Sequence, residues 1–192
     1  MGETSNKAYI KNIVMAAMLM GVGIVLPFFT GQIPQIGNML LPMHLPVIVC
    51  GLICGWQYGC IVGFILPLLR YVLFAAPPMP NGMAMAFELA AYGAISGFLY
   101  NRSRWQCIVS LYRSLIIAMI GGRVVWGIVR VAVFGMMGNA FTWQMFMAGA
   151  FLNAVPGIIL QLVFIPALMV ALNKTGLVRF HREQKVTVQA GK

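Results

Sequence analysis

The sequence predicts an all-α integral membrane protein, a six-transmembrane-helix bundle with both termini cytoplasmic. Three observations carry this prediction: the apolar composition, the number of apolar stretches and the placement of the cations. Of 192 residues, 61% are hydrophobic and only 8% are charged, whereas soluble domains are roughly 25% charged. A bilayer span takes about 20 mostly apolar residues. The length therefore accommodates one membrane domain over residues 1–192 and leaves no room for a soluble catalytic domain.

Apolar stretches divide the chain into six predicted helices. The stretch over residues 41–76 is too long for one span, and Gly55-Trp56-Gln57-Tyr58-Gly59 divides it with residues typical of an interfacial turn. Glycines recur every fourth residue from Gly51 to Gly63, which favours close approach of helix backbones. The predicted spans are 9–29, 41–55, 58–76, 82–100, 107–135 and 143–172.

The cations indicate orientation rather than a nucleic-acid partner. The formal net charge is +10, but the cations cluster before the first span, around one connection and after the last span. By the positive-inside rule these three regions are cytoplasmic, which requires an even number of spans. The clustered cations are Lys7, Lys11, Arg102, Arg104, Arg113, Lys174, Arg179, Arg182, Lys185 and Lys192.

Glu88 is the only acidic residue in the long apolar interior. A lone carboxylate at mid-helix costs roughly 3 kcal/mol or more in hydrocarbon, so it normally faces a partner or a wet cavity. Arg70, Glu88 and Arg130 each lie about six residues, roughly 9 Å, below the outer ends of their helices. The side chain of Arg123 is long enough to reach toward this depth from further down. Three arginines outnumber the single carboxylate, which favours a ligand cavity over a purely structural ion pair.

No motif predicts chemistry by the chain itself. The four cysteines form no Cys-x-x-Cys pair and have no histidine at zinc spacing, so we expect no metal site. The sequence contains no Walker A loop, no His-Glu-x-x-His, no Gly-x-Ser-x-Gly and no aspartate. We therefore expect no catalytic residues and no cofactor, and energy for uphill transport has to come from a partner or an ion gradient.

The arrangement resembles the substrate-binding S components of energy-coupling factor (ECF) transporters for vitamins and other micronutrients. The resemblance covers essentially the whole chain. The stretches that carry it are Met15–Pro27, Leu41–Pro67, Phe87–Gly97, Gly121–Gly127 and Pro156–Pro166.

This resemblance implies a receptor in a bacterial-type plasma membrane that captures a micronutrient from outside, under a lid formed by the first external loop. It also implies partners: a membrane scaffold subunit and two ATP-hydrolysing subunits, with reorientation of the receptor delivering the substrate inward. The family docks through an Ala-x-x-x-Ala pattern on its first helix, and Ala17 with Gly21 occupies that position here. The glycine keeps the surface small, although internal bundle packing is the alternative interpretation of the pair.

The substrate does not follow from the resemblance, so the candidate ligand residues come from position. Arginines would bind carboxylate, phosphate or carbonyl oxygens, Glu88 would accept from N–H or hydroxyl groups, and Tyr92 or Trp126 would stack on a ring. A polar heterocycle of vitamin or nucleobase type suits this set. The candidates are His44, Arg70, Glu88, Tyr92, Arg123, Trp126, Arg130 and Asn153.

Two alternative functions belong to other classes. A stand-alone ion-coupled secondary transporter would use protonation of Glu88 for coupling. An intramembrane enzyme would use His44 and Glu88 as an acid/base pair. Besides the subunits named above, membrane lipid is the remaining expected partner.

Overall fold

The computed structural model describes residues 2–30, 42–79, 81–103, 107–136 and 155–174, together with the isolated residues 142, 144, 147 and 149. This part of the chain is all-helical and contains no strand. Six α-helices follow one another, and a short 3-10 helix, Leu26–Thr30, continues the first. The helices are α1 Gly2–Val25, α2 His44–Cys54, α3 Trp56–Phe74, α4 Asn81–Arg102, α5 Ile108–Met136 and α6 Val155–Lys174.

Five of the six helices are long and apolar enough to cross a membrane. The exception is α2, whose 11 residues cover roughly 16 Å at 1.5 Å per residue, against about 30 Å of hydrocarbon. The structure therefore gives an all-helical protein with five candidate spans and one short apolar helix. Six membrane crossings and cytoplasmic termini stay predictions, and residues 175–192 lie outside the described part.

A single residue, Gly55, separates α2 from α3. Its φ of 105° and ψ of 164° belong to a region that residues with a Cβ rarely adopt. The N–H of Gly55 donates to the carbonyl of Gly51 at 3.1 Å, and the N–H of Gly59 donates to the carbonyl of Gly55 at 3.1 Å. Glycine thus allows the chain to end one helix and begin the next without a loop, so α2 and α3 form a tight hairpin.

Backbone contacts between glycines hold α2, α3 and α4 together, and we call this set the glycine seam: Gly51, Gly59, Gly63, Gly93 and Gly97. A Cβ on Gly59 would lie 2.6 Å from Cα of Gly51 and 2.7 Å from the carbonyl oxygen of Gly93. A Cβ on Gly93 would in turn overlap the carbonyl group of Gly59. The recurrence of glycine every fourth residue predicts close backbone packing, and the structure shows it.

The short helix α2 lies at the centre of the bundle. Ten of its residues are buried, and only Ile53 is partly exposed. One core cluster on α2, which includes Ile48 and Leu52, packs with residues of α4, α5 and α6. A second cluster, which includes Val47 and Cys50, packs with residues of α1, α3 and α4. The start of α2 is therefore enclosed by other helices, and this determines the environment of His44.

Candidate ligand-binding site

Four buried side chains from three helices meet near the start of α2, and we call them the Glu88 cluster: His44, Glu88, Tyr92 and Arg123. Arg123 Nη1 lies 2.9 Å from Glu88 Oε1, a direct ion pair between α5 and α4. His44 Nε2 lies 3.6 Å from the same oxygen. The rings of His44 and Tyr92 meet edge to face with centroids 5.0 Å apart. All four side chains are at least nine-tenths buried.

Helix geometry explains how these side chains converge. Glu88 and Tyr92 are four residues apart on α4 and so share one face. Next to Arg123 on α5 is Gly122, where a Cβ would lie 2.7 Å from the ring of Tyr92. The absence of a side chain at Gly122 lets the tyrosine ring lie against α5, within interaction range of both Glu88 and Arg123.

The sequence suggests that His44 lies closer to the outer rim than Glu88 does. The structure instead places His44 in the interior with none of its surface exposed. The reason is that α2 begins at His44 and is short, so its first residue lies beside Glu88.

Several buried polar atoms near the Glu88 cluster have no hydrogen-bond partner within the described part of the chain. These unpartnered atoms include the two ring nitrogens of His44 and the Nε and Nη2 atoms of Arg123. A buried donor or acceptor left without a partner costs about 1–3 kcal/mol, and the great majority of buried polar atoms in native structures are paired. The cluster therefore combines a firm ion pair with unused hydrogen-bonding capacity, as a ligand site requires.

Arg130 lies two turns further along α5, toward the predicted outer side. Its guanidinium carbon lies 5.0 Å from the centroid of the Trp126 ring and 5.2 Å from that of Phe134. It is half-buried, and its Nε has no hydrogen-bond partner among the described residues. The Trp126 ring packs on Ala84 of α4, one turn from Glu88. Arg130 and Trp126 thus extend the Glu88 cluster outward.

Arg70 lies in a different environment. It is buried, and its guanidinium carbon lies 5.6 Å from the ring centroid of Phe28 in the 3-10 helix. Its Nη1 has no hydrogen-bond partner, and no ion pair joins it to Glu88 within the described ranges. Equal estimated depth on two helices therefore did not mean contact, because α3 directs this residue toward the 3-10 helix. Asn153 lies outside the described residues.

Gln161 is a polar residue that our candidate set omits. It is 1% exposed, and neither amide atom has a partner among the described residues. Its neighbours on α6, Ile158, Leu162 and Ile165, belong to or pack on the core cluster that contains Tyr92. The available signal is a single amide inside a highly apolar helix, in line with Gly157.

The pair of small residues on α1 faces away from the bundle. Ala17 and Gly21 are both exposed, and a Cβ on Gly21 would meet no atom within 4 Å. Another face of α1 packs inward through Ala16 and Gly23, which are buried, as is Pro27 in the 3-10 helix that follows. Among the described residues, therefore, the pair takes no part in internal packing.

Comparison with protein families identifies the chain's relatives. The family model described as "ECF transporter, substrate-specific component" matches residues 11–174. The chain belongs to this family. Comparisons with curated proteins and with solved structures gave no significant match. As an ECF substrate-specific component with five long apolar helices, it is a membrane transport subunit that binds a substrate, and the Glu88 cluster is its most polar buried region among the described residues.

Proposed function

We propose that this ECF component captures a small anionic heterocycle of vitamin or nucleobase type from outside the cell and binds it at the Glu88 cluster. The observation that carries the proposal is the set of unpartnered buried polar atoms around the ion pair of Glu88 with Arg123, together with the half-buried Arg130 two turns further along α5. Partner subunits, one membrane scaffold and two ATPases, supply the energy in a bacterial-type plasma membrane. The chain itself uses no cofactor, metal or catalytic residue in this proposal.

Charge balance supports an anionic substrate. Glu88 neutralises Arg123 at 2.9 Å, which leaves Arg130 without a carboxylate in direct contact in the described ranges. A guanidinium presents donors in a planar fork that matches a carboxylate or phosphate, and such charge-assisted bonds are roughly twice as strong as neutral ones. A substrate anion beside Arg130 would use the unpartnered Nε.

The remaining groups suit a heterocyclic ring with its own donors and acceptors. Glu88 is placed to accept from a ring N–H, and His44 and the Gln161 amide can each donate and accept. Trp126 supplies an aromatic surface for stacking. The Arg130 guanidinium carbon lies 5.0 Å from the centroid of this ring. Arg70, which packs on the Phe28 ring, supports the surrounding structure rather than the ligand in this proposal.

Docking through α1 is part of the same proposal. Two small residues one turn apart let another helix backbone approach closely. Ala17 and Gly21 present such a surface: both are exposed, and no atom of the described residues lies within 4 Å of a Cβ placed on Gly21. A scaffold subunit that offers a matching small-residue helix is the partner this surface fits.

The test is a thermal-shift screen of the purified chain with vitamins, their precursors and nucleobase derivatives. Each carboxylated or phosphorylated compound is paired with its uncharged amide or dephosphorylated analogue. A ligand present at 100 times its dissociation constant adds about 2.7 kcal/mol to stability. We expect an acidic compound to stabilise the wild type, and its neutral analogue to do so much less.

Two variants make the screen specific. Arg130→Gln should weaken binding of the acidic compound at least about tenfold, since a charge-assisted hydrogen bond is worth about 1.5–3 kcal/mol. Lys174→Gln removes an exposed cation at the end of α6 and should leave binding unchanged. If the best ligand is neutral or cationic and Arg130→Gln binds it as the wild type does, the anionic assignment is wrong.

A further inference from the structure

A cavity lined by cationic, hydroxyl and apolar side chains lies at the opposite end of the bundle from the Glu88 cluster. It has a volume of about 200 Å³ and opens between the end of α4 and the start of α5. On α4 it is lined by Leu99 and Arg102, and on α5 by Ser110, Arg113 and Ile117, among others. These residues are three or four positions apart on each helix, so each helix contributes one continuous face.

The arginines of this cavity have no acidic partner among the residues that the structure describes. Within the described part of the chain neither Arg102 nor Arg113 makes an ion pair, since the described pairs all involve Glu88. Glu88 is 14 residues before Arg102, roughly 21 Å away along α4. The Arg102 guanidinium lies 5.5 Å from the Phe98 ring centroid, which holds it against the helix surface. Two arginines and three serines, Ser103, Ser110 and Ser114, thus line one opening, and no carboxylate is among its lining residues.

The cavity changes character along the bundle axis. Arg102 is the last residue of α4, while Ile117 is nine residues into α5, roughly 14 Å from its first residue. Arg102 lies at the mouth, Leu99 and Arg113 lie roughly 5 and 8 Å further in, and Ile117 lies deepest, so the innermost part of the cavity is apolar. Ile117 is itself 41% exposed. Free phosphate has no apolar group that could pack in that inner part, whereas a phospholipid has both a phosphate and an adjoining acyl chain.

We propose that this cavity binds an anionic phospholipid of the adjacent leaflet, with the phosphate between Arg102 and Arg113 and an acyl chain along Leu99 and Ile117. Ser110 donates a hydrogen bond to a phosphate oxygen. Juxtamembrane cations contribute about 1 kcal/mol each on an anionic membrane surface. This proposal is independent of the substrate at the Glu88 cluster and requires only that α4 and α5 cross the bilayer.

The test is native mass spectrometry of the full chain in detergent with equal amounts of phosphatidylglycerol and phosphatidylcholine of identical acyl chains. We expect the wild type to retain phosphatidylglycerol preferentially. Each arginine should contribute about fivefold to this preference, so the double variant Arg102→Gln with Arg113→Gln should retain both lipids about equally. The matched control, Lys11→Gln with Lys174→Gln, removes two exposed cations on α1 and α6 and should keep the preference.

A cavity-filling variant separates a defined site from general surface charge. Ser110→Phe keeps both arginines but fills the cavity, and it should lower retention of phosphatidylglycerol. If Ser110→Phe or the double arginine variant retains phosphatidylglycerol as the wild type does, the proposed site is wrong. Displacement of the lipid by millimolar glycerol 3-phosphate would also overturn the assignment, because it would identify a site for a soluble phosphate. The double arginine variant and Ser110→Phe change different residues. If one of them does not fold, lipid retention by the other still tests the site.

Discussion

The ion pair between Glu88 and Arg123 connects α4 to α5 inside the bundle, and its two members depend on each other. Removing one partner of a buried pair leaves the other charge uncompensated, at a cost of about 3–5 kcal/mol. We expect Glu88→Gln and Arg123→Gln each to lower the melting temperature of the ligand-free protein strongly. The double variant should be more stable than either single variant, because it buries no net charge. A double-mutant cycle measured by thermal unfolding tests this, and simple additivity of the two effects would contradict it.

Replacing Gln161 is expected to affect stability and ligand binding in opposite directions. Its buried amide has no partner among the described residues, so replacing it with an apolar side chain of similar length removes an unsatisfied group that costs about 1–3 kcal/mol. Gln161→Met should therefore raise the melting temperature of the ligand-free protein and weaken ligand binding. A lower melting temperature with unchanged affinity would show that the amide is satisfied internally. The comparison needs only thermal shift and a binding isotherm.

At this scale the sequence predicts the centre of the site better than its edges. A single carboxylate in apolar sequence is a strong signal, since its cost requires a partner, and the structure supplies Arg123 at 2.9 Å. The position of Arg70 could not be predicted, because depth along a helix says nothing about the direction of the side chain around it. Gln161 was omitted because an amide carries no charge and therefore gives a weaker signal than arginine.

The glycine seam joins three helices, and its residues should be the least tolerant glycines in the chain. A Cβ at Gly93 would overlap the backbone of Gly59, and backbone cannot move aside as a flexible side chain can. We expect Gly93→Ala to cost about 3 kcal/mol, the upper end of ordinary overpacking, or to prevent folding. Gly135→Ala on α5 is the matched control, because a Cβ there meets nothing within 4 Å; it should be neutral or stabilising by up to about 1 kcal/mol. Expression and thermal unfolding of both variants test the prediction.

Bulky substitutions on the exposed face of α1 should prevent assembly with the scaffold subunit without affecting ligand binding. Ala17→Leu with Gly21→Leu adds bulk to an exposed face with open space around it, so the isolated chain should keep its stability and its ligand. Copurification with the scaffold subunit should be lost. Ala132→Leu, at an exposed alanine on α5, is the control and should preserve assembly. Unchanged copurification of the α1 variant would place docking on another surface.

Hydropathy predicts helices well, because apolar stretches of about 20 residues are unambiguous. Hydropathy predicts the length of α2 less well, because apolar residues lie on both sides of His44, where the helix begins. The break at Gly55 is predictable from the glycine and its interfacial neighbours. The short length of α2 is not predictable, because the enclosure of this helix by α1, α3, α4, α5 and α6 depends on tertiary packing.

Without its partner subunits, the protein is expected to bind its ligand but not to transport it. Reconstituted alone in liposomes, the chain should bind its ligand but accumulate none in response to a proton or sodium gradient. Addition of the scaffold and the two ATPase subunits with ATP should produce accumulation. Gradient-driven uptake by the chain alone, abolished by a protonophore and by Glu88→Gln, would instead establish an ion-coupled transporter.

The glycine seam also restricts how a bound molecule can leave toward the side where α2 ends. A passage can open when a bulky side chain changes rotamer, but the glycine seam consists of backbone packed against backbone, with no bulky side chain that could move aside. Opening a passage between α2, α3 and α4 would require pulling whole helices apart and exposing their peptide groups to lipid. The three helices should therefore travel as one rigid unit, and release of the cargo is left to movement of the entire body or of the more loosely held helices α1 and α6.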